Sequence, residues 1–228
     1  MSTYIIGDLH LSFSSSKPMD VFHGWKDYVP RLEENWKNII QPQDTVIVAG
    51  DISWGMSLQE SLADLKWLDE LPGTKWLLKG NHDYWWATAA KMNTFFEENG
   101  LTTLKILHNN CAAAEGKVFC GSRGWMMETG QSSNARLIAR EAGRLAASFA
   151  AADGLEGERI AVLHYPPVYG EQMVPEFVDV LLRNNVRRCY YGHVHGPAHR
   201  YAINGEYMGI DFRLISGDFI GFKPVLVP

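Results

Sequence analysis

The sequence predicts an α/β fold with largely parallel strands. Three observations carry this: short β-branched runs recur along the whole chain, they are nearly continuous in apolar character, and segments of helical period alternate with them. The first run is Tyr4-Ile5-Ile6, closed by Gly7. Trp25, Val29, Leu32, Trp36 and Ile39 then fall at spacings of four, three, four and three, one apolar helix stripe. Thr45-Val46-Ile47-Val48 is the second strand, and Ser57 is placed to cap a helix carrying Leu58, Leu62, Leu65 and Leu68 to a stop at Pro72-Gly73. Trp76-Leu77-Leu78, Lys105-Ile106-Leu107 and Val118-Phe119 follow as strands. After Ser133 an alanine-rich helix puts Ile138, Ala142, Leu145 and Phe149 on one face, with Arg136, Arg140 and Arg144 on a solvated one. Ile160-Ala161-Val162-Leu163 and Arg188-Cys189-Tyr190-Tyr191 are the next strands. Beyond residue 199, Asn204-Gly205 between apolar runs predicts an antiparallel hairpin.

Length and composition bound the function. At 228 residues the chain reads as a single domain spanning 1–228, long enough to bury its own core without staples. Apolar residues make up 46% and charged residues 21%, which excludes a disordered or fibrous chain. The 21 Lys and Arg against 26 Asp and Glu give a formal charge of −5, which argues against long nucleic acid as a partner. No apolar run approaches the ~20 residues of a bilayer span, and no signal-peptide pattern precedes the first strand, so no membrane partner and a cytoplasmic location are expected. Cys111, Cys120 and Cys189 are odd in number and far apart, and read as buried thiols in a reducing compartment, not as a disulfide frame or zinc knuckle.

The chemistry lies in what ends the strands. The first ends in Gly7-Asp8-Leu9-His10, the second in Gly50-Asp51 and the third in Gly80-Asn81-His82-Asp83. Later ones end in His164 and in Gly192-His193-Val194-His195. Ligands of open α/β sheets bind beyond the carboxyl ends of the strands. Residues i and i+2 of extended chain share a face, so Asp8 and His10 can converge on one ion, while His193 and His195, with α-carbons roughly 6–7 Å apart, can serve two neighbouring ions. Carboxylate, imidazole and amide oxygen without thiolate suit Mn, Fe, Zn, Co or Ni.

In these five blocks the chain resembles the calcineurin-like metallophosphoesterases, whose signature is Asp-x-His, Gly-Asp, Gly-Asn-His-(Asp/Glu), a solitary His and Gly-His-x-His. The blocks span residues 7 to 195 in order. The resemblance implies a four-layer α/β/β/α sandwich of two mixed sheets flanked by helices. It further implies two divalent metal ions, one held by Asp8, His10, Asp51 and His195, the other by Asp51, Asn81, His164 and His193. The expected activity is hydrolysis of a small phosphomonoester or phosphodiester by in-line attack of a metal-bridging hydroxide. Two divalent cations against two carboxylates and one hydroxide leave the inner shell with a positive charge that attracts the anionic substrate. The alternatives on the same fold are a non-catalytic metal-binding scaffold and a nuclease.

One block departs from the family pattern. Where many members read Gly-Asp-x-x-Asp-Arg, this chain has Gly50-Asp51-Ile52-Ser53-Trp54-Gly55, without the arginine that grips phosphate. Arg123, after the Val118-Phe119 strand, is the expected substitute for substrate binding. His82, one residue beyond a ligand, is the expected catalytic proton donor, with Asp83 as the carboxylate that orients it. Trp54, Trp85, Trp86 and Trp125 lie near motif residues, where they could stack a nucleobase or another flat leaving group, core packing or pocket wall being the equal alternative. His23, His108 and His199 read as loop or surface residues outside the site, and segments 11–24 and 123–134 as its lips.

Overall fold

The structure is a computed structural model and describes residues 1–126 and 135–228. The first half of the chain runs β1 (Thr3–Ile6), α1 (Tyr28–Ile39), β2 (Thr45–Val48), α2 (Leu62–Glu70), β3 (Thr74–Leu77), α3 (Ala89–Glu98) and β4 (Leu104–Ile106). The second half runs β5 (Cys111–Ala114), β6 (Lys117–Ser122), α4 (Ala135–Ala150), β7 (Glu158–Leu163), β8 (Val168–Tyr169), β9 (Gln172–Met173), α5 (Pro175–Arg183), β10 (Arg188–Tyr191), β11 (Gly205–Tyr207), β12 (Ile210–Leu214) and β13 (Val225–Leu226).

Two large sheets result. One has the order β13-β1-β2-β3-β4, the other β11-β12-β10-β7-β6-β5, and β8-β9 form a separate pair. β1 to β4 are parallel with β13 antiparallel at the edge. β12, β10, β7 and β6 are parallel, flanked by antiparallel β11 and β5. Side-chain alternation along each strand sorts the apolar residues into layers. Ile5 and Ile47 of the first sheet meet Phe119, Ile160, Val162 and Tyr190 of the second in a central core. The outward-facing Ile6, Val46 and Val48 share a core with Leu32 and Trp36 of α1 and Leu65 and Leu68 of α2. On the far side Cys120, Ala161, Leu163 and Cys189 share one with Ile138, Leu145 and Phe149 of α4 and Phe177 of α5. The layers are therefore helix, sheet, sheet, helix, the sandwich that the resemblance implied.

Local chemistry explains where the elements depart from expectation. Ser57 Oγ accepts from the Glu60 amide (3.2 Å) and Glu60 from the Met56 amide (2.8 Å), a capping-type pair, but the turn it starts is a separate one and α2 itself begins at Leu62, after Ser61. The antiparallel hairpin is β11-β12, but its two-residue turn is Met208-Gly209, both at positive φ, and not Asn204-Gly205. Asn204 Oδ1 instead accepts from the Leu214 amide at 3.2 Å. Trp25 lies ahead of α1 and not on its stripe. β5 reads Cys-Ala-Ala-Ala, and alanine is a poor strand former; its pairing with β6 sets Cys111 opposite Cys120. All three cysteines are free thiols. Among the described residues no helix is long and apolar enough to cross a membrane. The expected helix start at Ser133, and residues 127–134 of the second lip, lie outside the described residues.

Candidate active site

Because β1, β2, β3 and β7, β10 are parallel within their sheets, the loops that follow them can gather at one edge of the sandwich. The loops after β1, β2 and β3 bring Asp8, His10, Asp51 and Asn81; those after β7 and β10 bring His164, His193 and His195. The side chains form two groups, Asp8 with His10 and His195, and Asp51 with His164 and His193, each with its ligand atoms within 4.8 Å of one another. In the first, His195 Nε2 stands 3.4 Å from Asp8 Oδ1 and 3.4 Å from His10 Nε2. In the second, Asn81 Oδ1 lies 2.7 Å from His164 Nε2 and 2.9 Å from His193 Nδ1. Asp51 Oδ2 lies between the groups, 3.7 Å from His10 Nε2 and 3.5 Å from His164 Nε2.

The backbone here is unusual. Asp8, His10, Asp51 and His193 all have positive φ, between 44° and 72°, a region that non-glycine residues enter rarely and at a cost of ~1–3 kcal/mol each. Asp8 and His10 thus converge from a tight left-handed loop, and not from extended chain as the i, i+2 argument assumed. Hydrogen bonds from the Asp8 amide to Gly50 O (3.0 Å) and from the His10 amide to Asp51 O (2.9 Å) tie this loop to its neighbour. Glycine before a ligand allows the close approach: a Cβ at Gly192 would stand 2.5 Å from Asp8 Oδ2, and one at Gly80 would collide with Asp51 Oδ1.

Burial dominates the electrostatics. It pushes His164 down to about 4 and His193 down to about 3, and holds His10 well below the usual imidazole range, with His195 adding repulsion. Burial, then the Asp83 and Asp8 carboxylates, raise Asp51 well above the usual carboxylate range. Burial acts upward on Asp8 too, but the imidazoles of His195, His164 and His10 keep it low. His195 differs from the others: burial acts downward, yet Asp8 and Asp218 outweigh it and raise the ring to about 10. Two features fit divalent cations. Burial and the Asp83 and Asp8 carboxylates disfavour the ionised form of Asp51, which a cation beside it would stabilise, and the facing Nε2 atoms of His10 and His195 can share at most one proton where a cation would satisfy both. The N/O donor set without sulfur suits borderline divalent ions.

His82 lies beside this cluster. Its ring packs on Trp54 (4.3 Å between centroids) and near His10 (5.7 Å), and its buried Nδ1 has no hydrogen-bond partner among the described residues. Asp83 does not supply that partner. Its carboxylate accepts from the amides of Gly80 (2.7 Å), Ile52 (2.8 Å) and Ser53 (3.2 Å) and from Trp85 Nε1 (3.0 Å), so it clamps the loop after β3 to the loop after β2. Three donors converge on Oδ1 and the Gly80 amide on Oδ2, which holds the carboxylate inward. Arg123 is also engaged elsewhere: its Nη2 is 3.4 Å from Oε1 of the fully buried Glu141, and its guanidinium lies 4.8 Å over Trp125. Glu141 gathers Arg140 (3.2 Å) and Arg144 (2.7 Å) as well, so part of the arginine face of α4 is paired and not freely solvated. Trp54 stacks on His10, whereas Trp85 is core.

Several neighbours escaped the sequence reading. Asp218 Oδ1 accepts from His195 Nδ1 at 2.8 Å and its Oδ2 from the Gly196 amide at 2.9 Å, the orienting carboxylate expected at Asp83 but found behind a different histidine. Gly217-Asp218 is the only trace of it in the sequence, and it falls after the last motif block. His199 contacts the same carboxylate at 3.3 Å. Tyr165 packs over His193 at 4.1 Å, and Trp25 meets both His10 and His195 edge-on at 5.5 Å. No sequence spacing marks these contacts.

Comparison with known proteins agrees with this geometry. A phosphopantetheinyl hydrolase of Mycobacterium tuberculosis superposes with a TM-score of 0.57 at 17% identity, over 99% of this chain and 95% of that one. A protein of unknown function from Aquifex aeolicus superposes with a TM-score of 0.54 at 16% identity, with the same coverage. At those identities the likeness is one of fold. The gene 66 protein of Mycobacterium phage L5 is 30% identical over 83 residues, which is 36% of this chain and 40% of that relative, under half its length. The family model of the calcineurin-like phosphoesterases matches residues 1–197, a stretch that contains every strand end described above, and the chain belongs to that family.

Proposed function

We propose that the chain is a dinuclear metal-dependent phosphoesterase acting on a small phosphomonoester or phosphodiester. The observation that carries this reading is the pairing of two three-residue ligand groups through Asp51, whose Oδ2 stands within 3.7 Å of a histidine of each. Asp8, His10, Asp51 and His195 would hold one divalent ion, and Asp51, Asn81, His164 and His193 the other, with Asp51 common to both. Bound there, such ions supply Lewis-acid charge and lower the pKa of water to near neutrality. Family membership supports the reaction class, and the mixed N/O donors support manganese, iron, zinc, cobalt or nickel.

The remaining roles belong to the protein. His82, wedged against Trp54 with Nδ1 unpartnered, carries the proton that the departing ester oxygen needs. Its backbone amide donates to Asp51 Oδ1 at 2.8 Å, so the same residue steadies the shared carboxylate. Asp83 fixes the loop that holds Asn81 and His82. Arg123 pairs with the buried Glu141 at 3.4 Å, and in this reading the ligand cluster and His82 carry substrate recognition.

Reconstitution with Mn, Ni, Zn or Mg, followed by elemental analysis and by hydrolysis of 4-nitrophenyl phosphate and bis(4-nitrophenyl) phosphate, tests this reading. Two ions per chain and metal-dependent release of nitrophenolate are expected. Fewer than two ions, with neither ester cleaved, would favour the non-catalytic scaffold.

A further inference from the structure

An apolar cavity of about 630 Å³ opens directly against the candidate metal site. Its walls are Met19, Phe22 and Trp25 from the segment after β1, and His195 with Pro197 from the segment after β10. That volume lies within the roughly 300–1,000 Å³ of small-molecule sites. His195 belongs to both places: one of its nitrogens faces Asp8 and His10, while the ring itself is cavity wall. The hydrocarbon wall therefore begins one imidazole ring from the cluster.

The wall is preformed. Backbone bonds from Phe22 N to Met19 O (3.0 Å) and from Trp25 N to Phe22 O (3.2 Å) close consecutive turns, and Trp25 is locked edge-on against the two histidines and Phe222. Trp25 and Met19 are buried at 2% and 8% exposure, yet Phe22 stands 57% exposed at the rim. An exposed phenylalanine above an apolar hollow keeps hydrocarbon wet until something covers it. His23 also lines the cavity and, with His195, is its polar side chain, but among the described residues no carboxylate, lysine or arginine does, so the wall is mainly hydrocarbon and offers few partners to the hydroxyls of a sugar or the edges of a base.

We infer that this cavity receives the organic group of the phosphoester, and that the substrate is an ester of an apolar alkyl or aryl alcohol. The inference rests on the phosphoesterase reading and extends it to the substrate class. Phosphate on the polar cluster and hydrocarbon beside His195 would divide one ligand between two adjoining environments.

Titration calorimetry of the Mn-loaded protein with n-alkylphosphonates from methyl to pentyl tests it, because the headgroup stays constant while only the chain grows. Burial of each methylene should lower Kd about fourfold, the fold-change equivalent to ~0.8 kcal/mol per CH2, with an increasingly negative heat-capacity change. Phe22→Asp, at an exposed position, should cut that dependence to less than about twofold per methylene, and Pro197→Asp is a second, independent probe of the opposite wall. Failure of methylphosphonate to bind in a metal-dependent way overturns the phosphoesterase reading and the cavity assignment with it. Metal-dependent binding with no dependence on chain length overturns the cavity assignment alone, as does a dependence that survives both substitutions.

Discussion

Through the loops after β1, β2 and β3, the first sheet brings to the site both carboxylates, the amide and one imidazole; through the loops after β7 and β10, the second brings three imidazoles and no carboxylate. Neither sheet builds a complete ligand group. Asp8 and His10 need His195 from across the sandwich, and Asp51 needs His164 and His193. The difference teaches where the tension in the fold lies. Positive φ at Asp8, His10 and Asp51 strains the side that holds the charge, whereas the other side has one such residue, His193. Cations bound between the sheets would offset that strain and add to the links already made by the core of Ile5, Ile47, Phe119 and their neighbours and by the bond from the Gly7 amide to Ile215 O.

The largest effect should come from the charge that both groups share. Asp51→Asn is expected to lose both ions and to lower turnover more than about 10³-fold, since the charge stabilisation that ions supply is several kcal/mol. His164→Ala, on the imidazole side, should lose one ion and keep the other. Elemental analysis of the two variants side by side breaks the comparison if Asp51→Asn retains an ion. A smaller effect belongs to His82→Ala. The variant should keep two ions per chain and lose about 10²–10⁴-fold in kcat. Loss of metal in that variant would instead show that the first sheet uses His82 to build the site and not to transfer a proton.

Much of this was legible in the sequence, and what was not has a common cause. Continuous apolar runs ending in Asp, Asn or His mark β1, β2, β3, β7 and β10, because a strand buried on both faces has no room for polar residues until its end. The seven candidate ligand positions follow from those ends. Asp83 was misread because adjacency in sequence suggested a contact with His82, whereas the chain turns the carboxylate inward to four donors. Asp218 and Trp25 reach His195 by folding across many residues, and no local pattern encodes such a contact. Arg123 was chosen for its charge, yet it pairs with the buried Glu141 of α4, to which the sequence reading gave no role. Pattern reading finds which residues end strands; it does not find what packs behind them.

Asp218 sharpens the comparison by showing that the second sheet does contribute charge, one bond removed from the site. Following β12, it accepts from His195 Nδ1 and so aims Nε2 at Asp8 and His10. Asp218→Asn should weaken metal binding about 10–100-fold, as loss of such an orienting carboxylate does elsewhere. Its stability effect carries a pH signature in the metal-free protein. His195 is raised from 6.5 to about 10 in the fold, by Asp8 and Asp218 against the opposing pull of burial. Folding therefore favours the protonated ring: the stabilisation is fully present below pH 6.5 and is lost as pH rises through 10. With the His195 side chain 29% exposed, the part that belongs to Asp218 is about 1 kcal/mol, or about 2–4 °C in a chain of this length. The melting temperatures of the parent and Asp218→Asn, both stripped of metal, should differ by that much at pH 6 and converge above pH 10. A gap that stays constant over that range would mean that Asp218 holds His195 in place without holding its proton.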